Sequence, residues 1–228
     1  MDCVRLVDVS TPLTPLTPLQ QLRAGRLPRR LVQLYAGLAL YGFSMAMVLR
    51  AALGLDPWDV LHQGLAEQLG WSFGTVVIAV GALVLLLWVP LRQWPGLGTV
   101  SNVVVIGVAV DAGLAVLPPV ESLWLRSGLL VGGVVLNGFA GATYLASAFG
   151  AGPRDGLMTG LVARTGRSVR LVRTCLEVTV LGVGLLLGGT VGVGTVLYAV
   201  AIGPLVQLFL PLVAVRLPRP DRAPAEVS

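Results

Sequence analysis

Six stretches of roughly 20 mostly apolar residues recur along this chain, at about 31–49, 72–91, 98–117, 127–149, 169–188 and 194–215. A helix needs about 20 residues to cross a hydrocarbon core about 30 Å thick. Inside lipid, a single segment satisfies its own backbone hydrogen bonds only as a helix. The expected fold is an all-α membrane protein with six transmembrane helices. Composition points the same way. Apolar residues make up 55% of the 228 and charged residues 12%, about half the usual share in soluble domains. A soluble domain of this size has no core large enough to bury so much apolar surface.

The second constraint is an internal duplication. Residues 42–111 align with 138–207 at an offset of 96 without a gap, and 25 of the 70 positions are identical. The matches fall on residues with backbone meaning. Gly42-Phe43 meets Gly138-Phe139, and Gly54, Pro57 and Asp59 meet Gly150, Pro153 and Asp155. Gly96, Gly98 and Thr99 meet Gly192, Gly194 and Thr195. Each copy carries three spans, and an odd number turns the second copy over relative to the first. Two inverted three-helix repeats are therefore expected, repeat 1 over 31–117 and repeat 2 over 118–215. A disordered Thr/Pro/Arg-rich cytoplasmic arm (1–30) precedes them and a cytoplasmic tail (216–228) follows.

Charge placement supports this topology. All 16 basic residues are arginine. With the amino terminus inside, 14 of the 16 lie on the cytoplasmic side and only Arg50 and Arg126 lie outside, as the excess of basic residues in cytoplasmic loops predicts. Equivalent loops differ in charge. Trp58, Gln68, Trp71, Gly74 and Val77 in the first copy become Arg154, Arg164, Arg167, Arg170 and Arg173 in the second. Both termini are expected inside, in the inner membrane of a bacterium. The lipid bilayer is then the main partner, and the basic balance is no sign of nucleic-acid binding.

The junction after the first span of each copy is the most informative segment. Gly54 and Gly150 break the preceding helix. Asp56-Pro57 and Gly152-Pro153 then open a short helix of about ten residues, too short to span. Two roles are open to Asp59 and Asp155. They complement the helix dipole, or both helix starts line a solute site between the repeats, as broken helices do in inverted-repeat transporters. Further candidates for a solute or ion site are Arg154, Asp111 and Glu177, ionisable groups near or within spans. The amides Asn102 and Asn137 join them, with interhelical hydrogen bonding as their other reading. Glu177 stands one turn after Arg173 and can pair with it. His62 is expected to be an exposed polar loop residue.

No metal site, cofactor or enzymatic centre is expected. One histidine and two cysteines make no zinc pattern, and no phosphate-binding loop or nucleophile–base pair is visible. Cys3 and Cys175 lie in different settings and form no disulfide framework.

The segments LGLDPWDVL at 53–61, GWSFGT at 70–75, PGLGT at 95–99, GAGPRDGLM at 150–158 and GTVGVGT at 189–195 resemble the bacterial YczE/YyaS/YitT group of integral membrane proteins. The resemblance covers about residues 31–215, and Gly-Pro-Arg-Asp-Gly is its most specific stretch. It implies a bacterial inner-membrane protein and carries over no catalytic residues. YitT-type members often add a soluble carboxy-terminal domain, so this chain looks closer to the YczE branch. The resemblance supplies no activity or substrate; two functions are expected from the residues, the first from the inverted repeat with its Gly/Pro-interrupted junctions. One is a small-solute transporter or permease subunit. The other is a non-transporting scaffold that binds a partner membrane protein or a second copy of itself.

Overall fold

The computed structural model describes residues 25–215, so most of the arm and the whole tail lie outside the described residues. Among the described residues there are eight helices and no strand. They are α1 (Leu27–Ala51), α2 (Pro57–Leu69), α3 (Phe73–Leu91), α4 (Leu97–Val116), α5 (Leu123–Ala146), α6 (Pro153–Thr165), α7 (Val169–Leu186) and α8 (Val193–Val213). Five of them, α1, α3, α4, α5 and α8, are long and apolar enough to cross a membrane. The 18-residue α7 is not among the five; it carries Arg170, Arg173 and Glu177.

Local chemistry explains the boundaries. Ser72 and Ser168 cap α3 and α7 through their side chains, replacing the partners that first-turn amides lack. The short helices α2 and α6 end at Gly70 and Gly166, both in the left-handed conformation. Gly96 and Gly192 open α4 and α8, where the Thr99 and Thr195 hydroxyls accept from the amides of those glycines. Helix α1 starts at Leu27, four residues before its apolar run, because Pro28 fits a first turn and Arg30 has buried partners to extend toward.

Those partners organise the bundle. Arg30 donates to the carbonyls of Ser147 and Ala148 at 2.8 and 3.0 Å, at the end of α5. Its guanidinium also lies 4.3 Å from the centre of the Phe149 ring. Arg126 donates to the carbonyls of Ala51 and Ala52 at 2.7 and 2.6 Å, at the end of α1. The last carbonyls of a helix have no intrahelical donor, and a cation there also meets the negative end of the dipole. Arg30 with Arg126, Ala51 with Ser147 and Ala52 with Ala148 are all separated by 96, so each copy's arginine closes the other copy's first helix. Midway between, Asn137 donates to Ser44 Oγ at 2.8 Å. These contacts run α1 and α5 antiparallel at the centre of the molecule.

Helix α4 runs parallel to α1, linked by Tyr35 with Ser101 near one end and Arg50 to the Leu114 carbonyl near the other. Helix α8 runs parallel to α5: Gly194 lies against Leu130 and Gly138 against Leu205. The short helices cross over: α2 packs on α7, and α6 packs on α3. Two backbone bonds fix where they begin. The Gly194 amide donates to the Leu53 carbonyl at 2.8 Å and the Gly98 amide to the Phe149 carbonyl at 2.9 Å, another pair of contacts related by the 96-residue offset. At these crossings Gly54 and Gly150 have φ of +110° and +113°, a conformation only glycine adopts readily. A Cβ on Gly54 would also lie 2.5 Å from the Gly192 amide nitrogen. The outer faces of the long helices expose rows of Val and Leu, with Trp71, Trp94 and Trp124 exposed near helix ends. Apolar flanks with aromatic residues at the margins are the surface a bilayer covers. The chain is a multi-pass membrane protein in contact with lipid.

Candidate functional site

The first turns of α2 and α6 meet in one cavity. It is about 90 Å³, room for about three water molecules. Asp56, Asp59 and His62 enter it from α2, and Gly152, Pro153 and Arg154 from α6, while α1, α3, α4 and α5 supply its walls. The two helix starts are held by different means. Asp56 is the N-cap of α2 and accepts from the amides of Trp58 and Asp59 at 2.9 and 3.0 Å. Gly152 takes its place in α6 and supplies no side-chain cap. There the indole of Trp88 on α3 donates to the Pro153 carbonyl at 3.0 Å and anchors the turn.

Asp59 does not cap its helix. Its Oδ1 lies 3.2 Å from His62 Nδ1, and both side chains are at least nine-tenths buried. His62 is thus buried in the site. This corrects the expectation of an exposed loop residue, and the i, i+3 spacing after Asp59 on one helix face is the reason. Neither Asp56 nor Asp59 uses its Oδ2 in a hydrogen bond among the described residues, and neither oxygen is sealed from open space. These groups sit on a short helix that does not span. Burial pushes the Asp59 carboxyl up to about 7, with Arg154 pulling the other way. Burial, then the Asp59 charge, pushes Asp56 up to about 6. Burial lowers His62 to about 4.

Arg154 brings the positive charge. One of its terminal nitrogens donates to the Tyr41 hydroxyl at 2.9 Å. Among the described residues no carboxylate lies within ion-pair distance of it. From Tyr41 a chain of hydrogen bonds leads into the core. The Tyr41 and Tyr198 hydroxyls are 3.4 Å apart, Tyr198 donates to Asn137 Oδ1 at 2.9 Å, and Asn137 donates to Ser44. Tyr198 spends its one proton on Asn137, so Tyr41 donates to Tyr198 and must accept from Arg154. The chain is polarised in one direction, and the guanidinium heads it.

The other candidates lie elsewhere. Asn102 lines the cavity and has no hydrogen-bond partner among the described residues. Asn137 is buried behind the wall, in the relay just described. Asp111 accepts from Ser72 Oγ at 2.6 Å and the Gly74 amide at 2.7 Å, tying the end of α4 to the start of α3. Asp155 and Glu177 line a second, smaller depression, together with Trp58, Arg154 and Arg173. Glu177 pairs with Arg173 at 2.9 Å in an exposed contact. No group of three or more His, Cys, Asp or Glu able to hold a metal exists among the described residues.

Besides His62, the sequence reading missed Trp58 and Tyr41; Tyr198 shares a helical face with Thr195, one of the polar faces open to helix contact or solute. A signal for the tyrosines was present in the duplication. At the 96-residue offset Tyr41 stands opposite Asn137, and Asn102 opposite Tyr198, four polar residues at two matched positions of otherwise apolar spans.

Comparison with known proteins bears on the whole fold. Residues 28–211 match a family of unknown function, DUF6198. The chain is 41% identical over 181 residues to an uncharacterized protein of Haemophilus influenzae, covering 79% of this chain and 83% of that one. It is 35% identical over 179 residues to the uncharacterized membrane protein YczE of Bacillus subtilis, covering 78% and 83%. It is 26% identical over 183 residues to the uncharacterized protein YyaS of the same organism, covering 78% and 90%. No solved structure matches the chain. The chain belongs to the DUF6198 family and is YczE-like.

Proposed function

We propose that this YczE-like membrane protein is a small-solute transporter whose site is the cavity between the starts of α2 and α6. The observation that carries the reading is that both short helices deliver charged side chains to one cavity, Asp56 and Asp59 from one and Arg154 from the other. Buried ionisable groups cost several kcal/mol when unpaired. A membrane protein retains them where they serve a solute. The cavity's walls come from the middle of α1, α3 and α4, at Tyr41, Gly81 and Ile106, a depth that suits alternating access.

The same reading takes α7 as a sixth span, equivalent to α3, with its charges near the cytoplasmic headgroups. It is supported by the contacts repeated at the 96-residue offset, as a pseudo-two-fold axis in the membrane plane would produce. The arginine distribution supports an orientation with both termini in the cytoplasm of a bacterial cell. Catalysis forms no part of this function. Purified protein in liposomes is expected to accumulate a labelled small solute, and Asp59→Asn and Arg154→Gln to reduce uptake at least tenfold. Full uptake by both variants would remove the cavity from the mechanism.

A further inference from the structure

We infer that the cavity takes a small zwitterion, its carboxylate against Arg154 and its ammonium against Asp56 and Asp59. The inference rests on the reading of the cavity as a solute site and adds the class of solute. Its basis is the opposite polarity of the two helix starts. On the α2 side the first-turn amides are already occupied by Asp56 Oδ1. What that side offers is the two open Oδ2 atoms. On the α6 side Gly152 leaves the helix start without a side-chain cap, so the positive end of a helix dipole faces the cavity beside the Arg154 guanidinium. Arg154 uses one donor on Tyr41 and keeps the rest of its fork, the geometry that matches a carboxylate.

The two ends attract across the cavity without meeting, since no carboxylate reaches Arg154 within ion-pair distance among the described residues. A singly charged guest satisfies one end and opposes the other. An anion on Arg154 faces two acidic groups, and a cation on Asp56 and Asp59 faces a guanidinium. A guest with both charges pairs with both ends, and unpaired buried charge is the costly alternative. The cavity's volume of about 90 Å³ limits the guest to the scale of a small amino acid. Trp58 in the same lining offers an aromatic face to an ammonium.

The test is calorimetric titration of the purified full-length protein in detergent. Glycine, γ-aminobutyrate and glycine betaine serve as zwitterionic probes, and acetate and methylammonium as singly charged ones. At least one zwitterion is expected to bind tenfold or more tightly than both singly charged probes. Arg154→Gln should weaken that binding by about 10- to 100-fold, Arg154→Lys by less, and Glu177→Gln not at all. Thermal melting of each variant without ligand shows whether it is folded. The inference is overturned if no zwitterion binds, if acetate or methylammonium binds as tightly, or if folded Arg154→Gln keeps its affinity. Uptake into liposomes separates the two claims. Zwitterion binding without uptake defeats the transport reading and leaves the site. Uptake of a singly charged solute that no zwitterion competes with defeats the zwitterion and leaves transport.

Discussion

Asp59 and His62 form a buried pair whose protonation belongs to the fold as much as to any solute. Burial holds the Asp59 carboxyl at about 7 against 3.8 for the free group. The folded protein therefore binds this proton more tightly than the unfolded chain does. Its stabilising contribution is complete below about pH 4 and fades as pH rises toward 7. His62, lowered to about 4, contributes the opposite slope between about 4 and 6.5, and Asp56, Arg154 and the Tyr41 hydroxyl face the same space. Removing the carboxylate removes only the first slope. Melting of Asp59→Asn between pH 5 and 8 is expected to show the variant gaining on the wild-type protein as pH rises. Parallel profiles would contradict the burial argument. Glu177 is the contrasting case. Its pair with Arg173 is 40–62% exposed, so Glu177→Gln should change stability by no more than about 0.5 kcal/mol in thermal or denaturant unfolding.

Among the elements, the central α1–α5 pair carries the architecture, and three hydrogen-bonded positions along it set its register. Truncating Asn137 to Ala leaves the Tyr198 hydroxyl and Ser44 without their shared partner in the core. A loss of about 1–2 kcal/mol is expected, read from unfolding in mixed micelles. At the crossings the backbone itself is the constraint. Gly54→Ala places a side chain at a positive φ, costing about 1–2 kcal/mol, and drives its Cβ against Gly192. It should lower the melting temperature more than Gly166→Ala, where nothing lies within 4 Å of the added Cβ and only the positive φ is unfavourable. Equal effects would mean that the α2–α8 junction is looser than its geometry.

At the scale of the molecule, the proposed inverted arrangement makes a prediction that no single contact makes. Single cysteines near Arg164 and near Arg126, in a chain with Cys3 and Cys175 replaced, should label from opposite faces of sealed vesicles. A cysteine in the tail should label from the Arg164 side. Labelling of both loops from one face would break the topology and with it the pairing of α2 with α6 across the membrane.

The sequence by itself determined the class, the helices and the duplication. Apolar runs of membrane-spanning length allow only helices, and Gly, Pro and Ser at the junctions mark ends to within a few residues. The 96-residue offset needed only identities. It also contained, unread, the equivalence of Arg30 with Arg126 and of Tyr41 with Asn137. Only the tertiary structure decided which of the scattered polar residues share a space. Asp56 looked like a cap and is also a cavity wall. Asp111 looked like a candidate site group and is a tie between α3 and α4. Arg154 stood both in a row of cytoplasmic arginines and among the candidate site groups, and it heads a hydrogen-bond chain into the core. The reason is physical. Helix length and apolarity are set by residues a few positions apart, whereas the cavity joins positions about 100 residues apart, and their meeting depends on how two interlocked halves close on each other.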